Sequence, residues 1–250
     1  MAIDPATFPN TPYGVGQRTP QPLAPLGPPS YYWGTNSIRN TTVGAVQANG
    51  QTFVTFAANV AGDTIYLPYG QNEIHSVFVP SAGACATCFT TAGMSGCKLY
   101  IDRVAGTNDL VVYHANALAQ DNPAALPNFE GPAVTAQLNL LYAGAHAYWT
   151  GAPNNYVLNQ VATFGRGVYR NGIVVEQNRK GGQGRTHVDF AGGTVVVGVL
   201  IGGHWSFYWQ TSGSFDYRRP LTSPKALLGL NRQVNNTAQR VVEYGLIWQG

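Results

Sequence analysis

The run Val195-Val196-Val197-Gly198-Val199-Leu200-Ile201 is apolar at odd and even positions alike, and it constrains the fold more than any other feature of the chain. Successive side chains of a strand point to opposite faces, so such a strand needs a cover on both sides. Around it lie short β-like runs separated by turn residues: Thr52–Val60, Thr64–Leu67, Ser76–Val79, Lys98–Val104, Leu110–His114, Tyr156–Phe164, Trp205–Gln210 and Arg240–Trp248. Within Trp205–Gln210 the residues Trp205, Phe207 and Trp209 share one face. Asn171-Gly172, between Gly167–Arg170 and Ile173–Glu176, predicts a two-residue hairpin. One helix is predicted over Val134–Tyr148, where Leu138, Leu141, Tyr142, Ala145 and Tyr148 recur at helical spacing, and a shorter one just before Cys97.

These elements imply an α+β fold that is mostly β, a sandwich of mixed sheets flanked by a few helices. Composition agrees. Only 10% of residues are charged, against roughly 25% in an average soluble domain. The 30 glycines and abundant aromatics favour strands joined by tight turns. Half of the 16 prolines fall within residues 1–30, from Pro5 to Pro29. Proline fixes φ and removes a backbone donor, so residues 1–30 read as an extended or disordered leader lying over the surface, and residues 31–250 as one domain.

A net charge of +3, with no basic patch interleaved with aromatics, argues against nucleic acid as a partner. No run reaches the roughly 18 apolar residues of a membrane span, and the N-terminus lacks a secretory signal pattern. The expected location is therefore outside the cell by a signal-independent route, or the cytoplasm. Three cysteines leave at least one thiol free.

The chemistry concentrates between Thr91 and His114. Ser95-Gly96-Cys97 opens an apolar strand, and a turn around Gly106 leads into the strand ending at His114. Read as a hairpin, paired positions sum to about 211–213, which sets Cys97 opposite or one step diagonal to His114. A neighbouring imidazole can lower a thiol pKa from near 8.5 until the thiolate dominates. The thiolate would attack a carboxamide carbon, backbone N–H groups at Gly96 and Cys97 would hold the oxyanion, and His114 would pass its proton to departing ammonia. Gly96 allows close backbone approach. Thr91, six residues before Cys97, offers a hydroxyl to orient the histidine.

Thr91, Ser95-Gly96-Cys97 and His114 resemble the active-site pattern of the Burkholderia lethal factor family, glutamine deamidase toxins directed at a host translation-initiation RNA helicase. Leu67-Pro68-Tyr69 resembles that family's Leu-Pro-aromatic step, and Phe89 with Thr91 fits its aromatic–x–Thr approach to the cysteine. The Val195-to-Ser214 stretch resembles its C-terminal strands. The arrangement is also similar to the cytotoxic necrotizing factors, which deamidate Rho-type GTPases. It is similar as well to the chemoreceptor glutamine deamidases, where Thr, Cys and His stand at spacings of six and seventeen, as Thr91, Cys97 and His114 do. The loop between Cys97 and His114 is longer than in the lethal factor, and the proline-rich leader has no counterpart there. The resemblance implies a cysteine-dependent protein glutamine deamidase, a toxin or effector. Its catalytic residues would be Cys97, His114 and Thr91, its substrate a protein presenting an accessible glutamine, and its state monomeric without cofactor or metal.

Other readings stand beside this one. A transglutaminase or thiol protease would use the same acyl-enzyme. A non-enzymatic β-sandwich, such as an adhesin or carbohydrate-binding module, would suit the low charge, with Cys97 a small buried hydrophobe and His114 a structural residue. Thr91 could merely close a turn. Cys85-x-x-Cys88 could form a redox pair or half a zinc site with His75 or His187, and is a weak signal. Arg179-Lys180-Gly181-Gly182-Gln183-Gly184-Arg185 lacks the Gly-Lys-Ser/Thr ending of a phosphate loop and reads as a flexible, solvated loop at the rim of the site. His146 and His204 read as sandwich core and edge.

Overall fold

The computed structural model describes residues 3–13, 39–48, 51–58, 64–70, 72–82, 86–117, 130–182, 186–218, 235–236 and 238–250. Its strands, in chain order, are β1 (Arg39–Ala48), β2 (Gln51–Ala58), β3 (Thr64–Leu67), β4 (Ile74–Val79), β5 (Cys88–Thr91), β6 (Cys97–Val104), β7 (Leu110–Asn116), β8 (Leu158–Phe164), β9 (Thr186–Ile201), β10 (His204–Arg218), β11 (Asn235–Asn236) and β12 (Arg240–Gln249). The helices are α1 (Pro132–Thr150), α2 (Arg166–Tyr169) and α3 (Asn171–Gly182). The larger sheet runs β11-β10-β9-β5-β3-β1-β2, with β12 also beside β10; the smaller runs β4-β7-β6-β8. Among the described strands β3 and β5 pair in parallel and the others antiparallel, so the larger sheet is mixed. This is the mostly-β, helix-flanked sandwich that the sequence implies.

The two sheets close on a shared core. Val77, Val79, Leu99, Ile101, Leu110, Val112 and Phe164 face Ile65, Leu67, Phe89, Val196, Trp205, Phe207 and Trp209 across it. The predicted common face of Trp205, Phe207 and Trp209 is therefore the inner one. On the outer side of the smaller sheet, Tyr100, Val111 and Tyr113 pack against Leu138, Ala145 and Trp149 of α1. A buried carboxylate ties these layers together. Asp102 accepts hydrogen bonds from the Tyr142 hydroxyl at 2.7 Å and from His146 Nδ1 at 2.9 Å. His146 is thus not a core filler but the surface end of this polar clasp, its side chain one-third exposed.

The cover for the outer face of β9 comes from the start of the chain. Ile3, Phe8 and Tyr13 pack on Cys88, Val195, Val197 and Val199. Gln210, fully buried, clasps the segment: its amide donates to the Phe8 and Thr11 carbonyls, and its oxygen accepts from the Tyr13 N–H. Residues 3–13 accordingly belong to the folded body, and Pro5 opens a 3-10 turn capped by Asp4 instead of breaking order. The apolar character of β9 on both faces made this cover necessary. The rest of the proline-rich segment lies outside the described residues.

Three local expectations give way. Asn171-Gly172 opens α3 and does not turn a hairpin. The Gly172 N–H donates to the Glu243 carboxylate at 2.7 Å, a negative group at a helix start, and Ile173 and Val174 bury one side of the helix. Arg179 of the glycine-rich run pairs with Glu176 one turn back, so the run continues α3 as far as Gly182. No helix forms just before Cys97; β5 and an extended loop occupy that stretch, because Phe89 and Thr91 are needed on the inner face of the sheet.

Candidate active site

The register of β6 with β7 places Cys97 opposite Asn116 and Leu99 opposite His114. The paired numbers sum to 213, the upper end of the expected range. Cys97 and His114 thus lie one diagonal step apart on the inner face of the smaller sheet. β7 is the inner neighbour of both β6 and β4, and on its other side His114 stands directly opposite His75. The site is a row across three strands: Cys97, His114, His75, and then Glu73, whose Oε2 lies 3.2 Å from His75 Nε2. Gly70 makes room for this pair, since a Cβ there would collide with the Glu73 carboxylate.

Burial sets the protonation states. Cys97 is 1% exposed and His114 fully buried. Desolvation pushes the thiol up to about 11, outweighing the Gly96 and Ser95 N–H groups and the Asn116 amide that favour its ionised form. Desolvation likewise holds His114 down at about 3, helped by the neighbouring His75, while the Leu67 and Pro68 carbonyls pull the other way. Neither ring nitrogen of His114 closes a hydrogen bond. At rest the pair is therefore a neutral thiol and a neutral imidazole on one sheet face, with no hydrogen bond between them. The sequence-level expectation of a dominant thiolate is corrected, because the inter-sheet core removes the water that would stabilise it.

Thr91 does not orient the histidine. Its hydroxyl accepts from the Val196 N–H at 3.1 Å, extending the β5–β9 ladder by one side-chain bond. The groups facing the His114 ring are instead the Leu67 and Pro68 carbonyls, from the Leu-Pro-Tyr step. Tyr69, 42% exposed, lies over the histidine with ring centroids 6.1 Å apart. Cys85 lies outside the described residues, as does the side chain of His187. Cys88 is a free thiol buried under the N-terminal segment. Among the described residues, no group of three or more His, Cys, Asp or Glu is placed to hold a metal ion.

Sequence reading missed one side chain at the sulfur. Asn116 Nδ2 donates to Cys97 Sγ at 3.3 Å. Fixing the hairpin register at 213 would have revealed it, because Asn116 is then the residue directly opposite the cysteine. With the Ser95 and Gly96 N–H groups it forms a three-donor cradle around the sulfur.

Gly96 is not required by backbone conformation or packing, as a Cβ there meets nothing within 4 Å. A Cβ at Gly93 likewise meets nothing within 4 Å. Gly96→Ala is expected to shift folding stability by less than about 1 kcal/mol and, if Cys97 is a nucleophile, to reduce turnover through the methyl added next to it in the chain. Thermal melting and a turnover assay check both halves. Unchanged turnover would show that no substrate atom uses that space.

No protein-family model matches the chain, and no curated protein matches it in sequence.

Proposed function

We propose that this protein is a cysteine-dependent protein glutamine deamidase, a toxin or effector that converts a glutamine of a host protein to glutamate. The observation that carries the reading is the cradle: Cys97 Sγ sits among three donors, on the same sheet face as His114. A sulfur ringed by N–H groups beside a neutral imidazole is equipped for acyl transfer to thiol.

The steps follow from these protonation states. The Cys97 proton moves to His114 as sulfur attacks the side-chain carboxamide carbon, and the carbonyl electrons become an oxyanion in the cradle. Collapse breaks the C–N bond, and the His114 proton leaves with ammonia. His114 then takes a proton from water, whose oxygen attacks the thioester; the C–S bond breaks and the thiol recovers its proton. His114 is a general base working on a neutral thiol, not half of a standing ion pair. The glutamine enters from the side of exposed Tyr69 and Ser95 and half-buried Gly96, which border the buried pair in the chain or by ring contact.

A second reading draws on the burial of Cys97, which belongs to the inter-sheet core cluster. In it the protein is a non-enzymatic β-sandwich binding module, and the thiol is a packing residue.

One experiment separates the two. Eukaryotic lysate is incubated with the protein and Gln-to-Glu conversions are mapped by mass spectrometry, with Cys97→Ser as control. The deamidase reading expects conversion at one or a few glutamines that disappears with Cys97→Ser. Conversion that persists in the variant, or none with either protein, sinks it.

A further inference from the structure

The loop that delivers Cys97 is pinned from outside by groups that take no part in the chemistry above. At its start, Met94 exchanges backbone hydrogen bonds with Thr194 of β9, at 2.6 and 3.1 Å. In its middle, Arg170 Nη1 donates to the Ser95 carbonyl at 2.8 Å. At its end, the Tyr169 hydroxyl donates to the Cys97 carbonyl at 3.0 Å. Tyr169 is fully buried, and its own carbonyl accepts from the Thr211 hydroxyl at 2.7 Å, which anchors α2 to β10. Thr211 in turn shares a 2.6 Å hydroxyl contact with Thr194. One buried polar chain thus runs from the larger sheet through Tyr169 to the backbone of the nucleophile.

The consequence is geometric. A trans peptide is planar, with its C=O and N–H pointing in opposite directions. Arg170 draws the Ser95 carbonyl outward, so the Gly96 N–H of the same peptide turns inward, toward the sulfur. Glycine at 96 rotates freely and would not hold that orientation by itself.

We propose that Arg170 and Tyr169 are positioning residues of the active site: Arg170 holds the Ser95 carbonyl so that the Gly96 N–H stays aimed at the sulfur and the developing oxyanion, and Tyr169 anchors the Cys97 backbone on the other side of the sulfur-bearing residue. The proposal rests on Cys97 as the nucleophile. It deepens that reading by adding a supporting shell from α2, which touches neither substrate nor reacting atoms. A cradle made of backbone N–H groups has no side-chain rotamer to lock it, so its precision depends on what holds the facing carbonyls.

The test reads thiolate availability directly, without any glutamine substrate. The full-length protein is treated with methyl methanethiosulfonate at fixed pH, and modification at Cys97 is timed by mass spectrometry. Arg170→Met keeps the length of the side chain and removes the donor; Arg170→Lys keeps one donor; Tyr169→Phe keeps the ring and removes the hydroxyl. Loss of one N–H from the sulfur is expected to slow modification about tenfold in Arg170→Met, equivalent to about one pKa unit. Tyr169→Phe should be slowed in the same direction, and Arg170→Lys should recover part of the rate. A purely structural role gives the opposite sign, since a loosened loop exposes Cys97 and speeds the reaction. Faster or unchanged modification in Arg170→Met therefore overturns the proposal. The lysate experiment judges the deamidase reading separately: slowed modification with no glutamine conversion would leave the positioning role standing and remove the reaction.

Discussion

Lowering the pH from 7 to 4.5 is expected to remove about 5 kcal/mol of folding stability through two histidines alone. Burial holds His75 down at about 4, and burial with the nearby His75 holds His114 down at about 3, against an ordinary value of 6.5. Between pH 6.5 and these values the unfolded chain binds two protons that the folded protein refuses. Stability is therefore fully present above about pH 6.5 and falls with decreasing pH, each group contributing about 1.4 kcal/mol per pH unit. The loss levels off near pH 4 for His75 and near pH 3 for His114. Denaturant unfolding at pH 7, 5.5 and 4.5 measures the slope, and His75→Gln should flatten it by about half. A stability curve that stays level over this window would mean that the inter-sheet core admits a charged imidazole, which would contradict its burial.

On the proposed deamidase reading, Asn116→Ala is expected to cut glutamine turnover by about a hundredfold to a thousandfold, the cost of removing one donor from an oxyanion site. The amide that reaches Cys97 Sγ at 3.3 Å in the resting protein is the side-chain donor that an oxyanion on a carbon attacked by that sulfur would meet. Asn116 is half-buried at the end of β7, so truncating it should disturb folding far less than turnover. Asn116→Asp sharpens the test. It preserves shape but replaces a donor with an acceptor, and a carboxylate beside the sulfur disfavours both thiolate and oxyanion. Its turnover should fall at least as far as that of the alanine variant. A kcat within fivefold of the parent in both variants would remove Asn116 from the cradle.

These expectations draw unevenly on sequence and structure. The strands were legible because period-two patterning survives in any half-buried strand: β3 falls at its expected bounds, and β6, β7 and β12 within two residues of theirs. The long helix was legible from Leu138, Ala145 and their helical spacing, although α1 extends two residues further at each end. β1 and β5 were not expected. Arg39–Ala48 mixes threonine, glycine and alanine without a clear apolar face, and Cys88–Thr91 is only four residues long. Asn171-Gly172 carries strong local hairpin chemistry, yet a carboxylate from β12, more than seventy residues away, favours a helix start there. No local pattern could carry that information.

The candidate site divides in the same way. Hairpin spacing alone brought Cys97 and His114 to one face, since alternation and turn length fix register to within a residue or two. Three features came only with tertiary structure: the third strand carrying His75, the α2 groups on the loop carbonyls, and the packing of the larger sheet over the pair. The last decides the chemistry. Whether a cysteine beside a histidine rests as an ion pair or as two neutral groups depends on how much water remains around them. That water is excluded by Ile65, Leu67, Val196 and Trp209, residues far from either in the chain. The sequence determined that a cysteine and a histidine share one sheet face; the closing of two sheets over them determined that both rest uncharged.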